Sequence, residues 1–159
     1  MMSLSRLPRP ALFLGLAGIL PQAACVVSGY SDPATRFAAG AAGCFYAAVI
    51  LSFLGGIWWS SALTAGERRA WPYIVAVLPS LIAWAALIPW FQGLEWPGPS
   101  LLVLGACLIL SPAIDSYLAR RAIAPSPAGW LMLRCILSLG LGVSTILLGL
   151  MPAVRAAPF

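Results

Sequence analysis

The sequence has no histidine and no lysine, and its 159 residues include only nine arginines and four carboxylates. Charged residues make up 8% of the chain, whereas soluble domains carry about 25%. Without histidine, the chain lacks the commonest metal ligand, the usual haem ligand and the usual general base. We find no Ser-His-Asp set, paired acid and base, glycine-rich phosphate loop or metal-ligand spacing. We therefore expect no enzyme, no cofactor and no metal site.

Cysteine is sparse, and the four cysteines form no CxxC pair. Each of them, Cys25, Cys44, Cys107 and Cys135, lies inside or at the edge of an apolar run. This placement is typical of small buried apolar residues. A disulfide or a metal site remains the alternative interpretation.

Apolar residues are abundant, at 62% of the chain, which is too many to cover a soluble surface. A membrane-spanning helix needs about 20 mostly apolar residues, and barrel strands alternate apolar with polar positions. The apolar runs here are continuous. The breaks between them are short and contain turn-forming residues. The sequence predicts an all-α membrane protein in a single transmembrane domain, a bundle of about five helices, at 11–27, 37–63, 71–91, 100–118 and 129–151.

The first apolar run also resembles a secretory signal peptide, because Ala23-Ala24-Cys25 follows a short apolar stretch. Gln22 stands where a lipoprotein signal normally has an aliphatic residue. We expect a retained first helix, with cleavage as the alternative.

Arginine placement predicts the orientation. With five helices, the N-terminus and the second and fourth loops share one side, which holds six arginines: Arg6, Arg9, Arg68, Arg69, Arg120 and Arg121. The other side has Arg36 and Arg155. The positive-inside rule then predicts a cytoplasmic N-terminus and a periplasmic C-terminus. The arginines form no continuous patch, so the net charge of +5 does not indicate nucleic-acid binding.

The tryptophans agree with these boundaries if they form aromatic belts at the two membrane surfaces. Four fall at predicted cytoplasmic helix ends, namely Trp58, Trp59, Trp71 and Trp130. Trp90 and Trp96 fall at outer ends, and Trp84 alone lies mid-span.

Small residues recur on two of the predicted helices. The second helix has Ala39, Gly43 and Ala47 at a spacing of four. The fifth carries a stripe on one face: Ser138, Gly142, Thr145 and Gly149. Such residues let helix backbones approach closely in lipid. Both faces are interpreted as internal packing, and a docking face for another membrane subunit is the alternative.

Pro79 lies inside the third predicted helix and should kink it, because proline lacks an N–H and its ring clashes one turn back. Kinked helices with a polar residue sometimes line transporter sites. Pro79, Ser80 and Trp84 are therefore a candidate pocket, with a simple kink as the alternative.

Asp115 and Arg134 are the ionisable residues inside the predicted helices. At about 1.5 Å per residue, both lie roughly 6–8 Å inside the same boundary if Arg120 and Trp130 mark it. A short loop makes their helices antiparallel neighbours. We expect an ion pair, and the alternative is that Arg134 reaches lipid phosphate while Asp115 meets water or Arg120.

Several stretches resemble a known family. They are Ala48-Val-Ile-Leu-Ser-Phe-Leu-Gly-Gly-Ile57, Pro79-Ser-Leu-Ile-Ala-Trp84, Pro127-Ala-Gly-Trp-Leu-Met-Leu-Arg134 and the opening Leu14-Gly-Leu-Ala-Gly-Ile-Leu-Pro21. Together they are similar to the family catalogued as domain of unknown function 3429. The resemblance implies a small polytopic protein of the bacterial inner membrane, with a mitochondrial transmembrane relative in animals. Many members have His or Arg, then Trp-Gly, where this chain has Trp58-Trp59-Ser60.

These observations predict a multi-pass protein of the bacterial inner membrane, in contact with membrane lipids. We expect an accessory or assembly subunit of a larger respiratory or photosynthetic membrane complex, in contact with other integral subunits. The alternative function is a small transporter or a lipid- or quinone-binding membrane protein.

Overall fold

Secondary structure in the described residues is entirely helical. The structure, a computed structural model, describes residues 7–93, 96–121, 123 and 129–152. Its helices are α1 (Arg9–Ala17), α2 (Leu20–Ser31), α3 (Arg36–Thr64), α4 (Trp71–Phe91), α5 (Gly98–Arg120) and α6 (Trp130–Gly149). With α1 and α2 taken together as Arg9–Ser31, five segments are long and apolar enough to cross a membrane.

The first span is broken, which corrects the prediction of one uninterrupted helix. Pro21 has no N–H to donate one turn back, so regular α-helical bonding fails before it. The amide of Gly18 bonds to Gly15 O at 3.0 Å, and that of Ile19 bonds to Leu16 O at 3.1 Å, which tightens the end of α1. The Tyr46 hydroxyl donates to the Gly18 carbonyl and so satisfies an acceptor at the break.

Prolines inside the other spans do not interrupt them. Helix α4 runs without a break through Pro79 and Pro89, and α5 runs through Pro112. Neighbouring helices can hold a proline-containing span in a bilayer, where local adjustments satisfy the freed backbone groups. The kink predicted at Pro79 therefore does not end α4.

Helix α3 is the centre of the bundle, because it contacts α2, α4, α5 and α6. Helices α5 and α6 pack against each other as an antiparallel pair. Helix α1 lies at the periphery and has no buried residue. Its Gly15 faces Leu133 and Leu137 of α6.

The two ends of the bundle differ in charge. We call the end where α3 and α5 finish and α4 and α6 begin the basic end. It holds Arg68 and Arg69 in the α3–α4 loop and Arg120 and Arg121 at the end of α5. The opposite end has Asp32 and Arg36, whose Nε donates to Gly29 O at 3.0 Å. Arg6, Glu95 and Arg155 lie outside the described residues.

Two tryptophans assigned to the aromatic belts are instead buried, at 2% exposure for Trp58 and 8% for Trp96. The Trp96 ring packs over Gly40 and Gly98, where any side-chain carbon would collide with it. Trp58 faces the helices around it, where its N–H has a buried hydrogen-bond partner. The belt interpretation is wrong for these two residues.

Candidate functional site

Asp115 of α5 and Arg134 of α6 meet inside the bundle. Arg134 Nε donates to Asp115 Oδ2 at 2.9 Å, and the two side chains are 7% and 9% exposed, respectively. Their helices are antiparallel neighbours, which places the two residues at the same height. Arg134 therefore pairs with a carboxylate within the bundle and does not extend to lipid phosphate.

The other oxygen of the same carboxylate is bound by α3. Trp58 Nε1 donates to Asp115 Oδ1 at 2.7 Å. This contact was not predicted from the sequence, because Trp58 was assigned to the membrane surface. Leu51, Leu54 and Trp58 follow one another at spacings of three and four residues, which places them on one helical face. All three are buried, so this spacing was the sequence signal that could have predicted the burial of Trp58.

Two serines extend this network toward the bundle centre. The hydroxyls of Ser111 and Ser138 lie 3.0 Å apart, and Arg134 Nη2 lies 3.5 Å from Ser111 Oγ. We call these five residues the polar network: Trp58, Ser111, Asp115, Arg134 and Ser138. It joins α3, α5 and α6.

The polar network is suited to holding helices together. A buried ion pair offsets its desolvation cost only when further hydrogen bonds satisfy the remaining polar atoms. Here one carboxylate oxygen binds guanidinium and the other binds indole, so both oxygens are engaged. The charges compensate each other, and the arrangement acts as a structural clamp.

The predicted stripe on α6 faces α5. A Cβ added to Gly142 would lie 2.9 Å from Gly105 O, and one added to Gly105 would lie 2.9 Å from Gly142 O. This reciprocal backbone contact requires glycine on both helices. Ser138 and Thr145 are buried, and Gly149 lies against Gly98 and Leu101.

The predicted small-residue face of α3 is also occupied within the chain. Ala39, Gly43 and Ala47 are buried. A side chain at Gly43 would collide with Leu148 of α6 and approach the Gln22 amide. Both small-residue faces therefore pack against other helices of the same chain and are not free to contact another subunit.

A second buried polar contact joins α2 to α6. Gln22 Nε2 donates to Thr145 Oγ1 at 2.9 Å, and Thr145 Oγ1 in turn donates to Leu141 O at 2.7 Å. The Gln22 side chain is fully buried, and its Oε1 atom has no partner in the described residues. Gln22 is thus a buried structural residue, although in the sequence it stood out only as a departure from a lipoprotein signal.

The candidate pocket at Pro79, Ser80 and Trp84 is not one site. Pro79 lies at the floor of an apolar groove of about 430 Å³ between α4 and α5, which we call the α4–α5 groove. Ser80 faces away from the bundle, and Trp84 is 64% exposed. Consecutive helix positions point about 100° apart, so a single face could not hold all three.

The basic end closes one end of the α4–α5 groove. Tyr117 lines the groove, stacks edge-on with Trp71 at 5.7 Å and lies under the Arg121 guanidinium at 5.3 Å. In the nearby α3–α4 loop, Glu67 binds the Arg69 guanidinium, and hydrogen bonding from Arg69 lowers the pKa of Glu67 to about 2. Arg68, Arg120 and Arg121 are exposed.

The cysteines are all in the described part of the chain and are free thiols. Within the described residues, no group of three or more Cys, Asp or Glu side chains is placed to hold a metal ion.

Comparison with known proteins agrees with this architecture. The family model described as Protein of unknown function (DUF3429) matches residues 7–150. The chain belongs to this family. The chain is also similar to Transmembrane protein 69 of Xenopus tropicalis, with 39% identity over 88 residues, which is 51% of this chain and 33% of that protein. The chain thus matches about a third of that relative's length. No solved structure matches. The five apolar spans and this relative together identify a multi-pass membrane protein.

Proposed function

We propose that this protein is a non-enzymatic accessory or assembly subunit of a larger membrane complex, for example a respiratory or photosynthetic one. The observation that carries the proposal is the outward face of α4, where Ser80 and Trp84 lie one turn apart near the middle of a span. We call these two residues the α4 outer face.

The α4 outer face is poorly matched to hydrocarbon. Tryptophan prefers the membrane surfaces, where its N–H meets water, yet Trp84 is 64% exposed in mid-span. Ser52 and Ser144 donate to the carbonyl four residues back, whereas no such bond of Ser80 is found among the described residues. Polar groups without partners are costly in lipid. A neighbouring membrane protein with hydrogen-bond acceptors at this depth would satisfy both the Trp84 N–H and the Ser80 hydroxyl.

We also propose that the membrane is the bacterial inner membrane, with the basic end in the cytoplasm. Among the described residues, Arg9, Arg68, Arg69, Arg120 and Arg121 are exposed at that end, against Arg36 at the other. Arginine excess marks cytoplasmic loops. An odd number of spans then places the C-terminus outside.

Site-specific photo-crosslinking in the native membrane tests the proposed subunit function. A photoreactive phenylalanine analogue replaces Trp84 in the full-length chain and is activated before solubilisation. We expect one protein adduct of defined mass, recovered in the same ratio after purification in mild detergent. The matched control is position 53, because Phe53 is 63% exposed on α3 at a similar depth. Protein adducts of equal yield at both positions, or lipid adducts alone at position 84, would contradict the proposal.

The second candidate function is a small transporter or a lipid- or quinone-binding protein. The α4–α5 groove favours its lipid-binding form, because the groove is lined almost entirely by apolar side chains and lies at the bundle surface. Measurement of lipids that co-purify with the isolated chain distinguishes this candidate from a purely structural subunit.

A further inference from the structure

The α4–α5 groove has the shape of a site for a hydrocarbon chain. Its floor is formed by buried Leu51, Trp58 and Pro79, while its rims include exposed Leu78 and Leu110. A cavity with a buried floor and exposed rims opens sideways, toward the surrounding lipid. Its volume of about 430 Å³ lies within the usual range of ligand pockets.

The length of the groove matches one leaflet. On α5 its lining runs from Cys107 to Tyr117, which corresponds to about 15 Å along a helix. The hydrocarbon core of a bilayer is about 30 Å thick. The groove therefore reaches from the basic end to about the bilayer midplane, as one acyl chain of that leaflet does.

The groove floor favours a chain over a polar ring. Trp58 contributes its ring to the floor, while its N–H is bound to Asp115 at 2.7 Å. A quinone or other polar head inserted beside Trp58 would lose its hydration and would gain no hydrogen bond from the Trp58 N–H in return. Polar recognition is available instead at the groove mouth, where Tyr117 lies.

The groove mouth is cationic. Arg121 lies over the Tyr117 ring at 5.3 Å, and the adjacent Arg120 is exposed. The carboxylate of this region, Glu67, is engaged by Arg69. An exposed arginine near a membrane surface contributes about 1 kcal/mol to the binding free energy of anionic lipid, which corresponds to about fivefold in affinity.

We propose that the α4–α5 groove binds one acyl chain of an anionic phospholipid from the leaflet at the basic end, with the phosphate held at Tyr117, Arg120 and Arg121. The inference rests on the second candidate function, whose ligand class it names, and it does not involve the α4 outer face.

Native mass spectrometry of the full-length chain, exchanged into detergent with defined lipids, tests the proposal. We expect phosphatidylglycerol to be retained at least about fivefold better than phosphatidylcholine with the same acyl chains. Glycerol 3-phosphate, a headgroup without chains, should not compete. Equal retention of the two lipids, or competition by glycerol 3-phosphate, would overturn the proposal.

Matched variants separate the headgroup from the chain. Arg120→Gln and Arg121→Gln should each weaken phosphatidylglycerol binding about fivefold, whereas Arg9→Gln, exposed at the same end on peripheral α1, should not. Ala113→Phe fills the groove and should weaken binding of either lipid. Ala106→Phe is the control, because Ala106 is exposed on α5 outside the groove lining. The assignment is overturned if Arg9→Gln weakens lipid binding as much as the Arg120 and Arg121 variants do. It is also overturned if Ala106→Phe weakens binding as much as Ala113→Phe does.

Thiol protection gives a readout that needs no substitution. Cys107 lines the groove, and Cys135 of α6 is also partly exposed but does not. Saturating phosphatidylglycerol should slow alkylation of Cys107 by N-ethylmaleimide several-fold and leave Cys135 unchanged, as measured by peptide mass spectrometry. Unchanged Cys107 reactivity overturns chain insertion even where the arginine variants lose affinity. Failure of the lipid proposal would leave the Trp84 crosslink intact, so the two proposals fail separately.

Discussion

The indole nitrogen of Trp58 lies 2.7 Å from one carboxylate oxygen of Asp115, although the two residues are 57 positions apart in the chain. Arg134 Nε donates a hydrogen bond to the other carboxylate oxygen at 2.9 Å. The carboxylate is thus the common acceptor of α3 and α6, while α5 supplies it. Because all three helices depend on this one group, its replacement has the clearest expected consequence.

Asp115→Leu should destabilise the protein by about 3–5 kcal/mol, because it leaves a buried guanidinium without its counter-charge. The free energy of unfolding in mixed micelles, measured by titration with dodecyl sulfate, gives the effect. Asp32→Asn is the control, since Asp32 is exposed in a loop. The double variant Asp115→Leu, Arg134→Leu should recover much of the loss, because apolar pairs can replace buried ion pairs. A harmless single substitution would contradict the structural role.

Trp58→Phe tests the indole contact separately. The change keeps an aromatic ring at the groove floor but removes the donor to Asp115. Hydrogen bonds to charged groups contribute about 1.5–3 kcal/mol, and we expect a loss of this size. Trp59→Phe is a neighbouring control, because Trp59 is exposed and its edge-on contact with Tyr73 needs only a ring. Equal unfolding free energies for the two variants would show that the Trp58 bond contributes nothing.

Gly142→Leu should separate α5 from α6 and reduce the yield of folded protein. An added side chain would meet Ile109 and the Gly105 carbonyl, which is backbone and cannot rotate away. Even Gly142→Ala should be destabilising for this reason. Gly56→Ala is the matched control, because no atom lies within 4 Å of a Cβ built there. Gly56→Ala replaces a glycine inside a helix and should raise the free energy of unfolding by up to about 1 kcal/mol. Size-exclusion profiles and unfolding curves compare the variants.

Orientation is tested with fusion reporters that are active only outside the cytoplasm. A reporter after Phe159 should be active, and one after Arg69 should be silent, because the arginine-rich loops stay inside. The fusion after Arg69 follows the second span, so its reporter should lie with the basic end. The reverse pattern would show that the charge bias does not set the topology.

Much of the fold follows from the sequence because lipid imposes simple rules. Long apolar runs become spanning helices, and the run predicted at 37–63 is close to α3, Arg36–Thr64. The break in the first span was missed, although Pro21 carried a signal for it. The effect of a proline depends on its neighbours, since Pro79 and Pro89 lie in an unbroken helix.

The site was only partly predictable. The heights of Asp115 and Arg134 followed from helix rise and a short loop, both of which are local properties. The contribution of Trp58 depends on how α3 is rotated about its axis, and hydropathy alone does not set that rotation. The same limit explains why Pro79, Ser80 and Trp84 were grouped although only Pro79 faces the groove.

Gln22→Leu should leave stability unchanged or raise it, in contrast to the Asp115 substitution. The Gln22 side chain is fully buried and makes one hydrogen bond, to Thr145 at 2.9 Å, while its Oε1 atom has no partner in the described residues. A buried acceptor without a partner costs about 1–3 kcal/mol, and leucine of similar size removes that cost. Thr145 keeps its bond to Leu141 O at 2.7 Å after the change.

The control for Gln22→Leu is Thr145→Val, which removes the hydroxyl and leaves the Gln22 amide donor unpaired as well. We expect Thr145→Val to be destabilising by about 1–3 kcal/mol and Gln22→Leu, Thr145→Val to be closer to the parent. Unfolding free energies in mixed micelles, measured for the parent, the two single variants and the double variant, give the double-mutant cycle. A loss above about 1 kcal/mol for Gln22→Leu alone would mean that the amide has a partner such as a buried water, which would then satisfy Oε1.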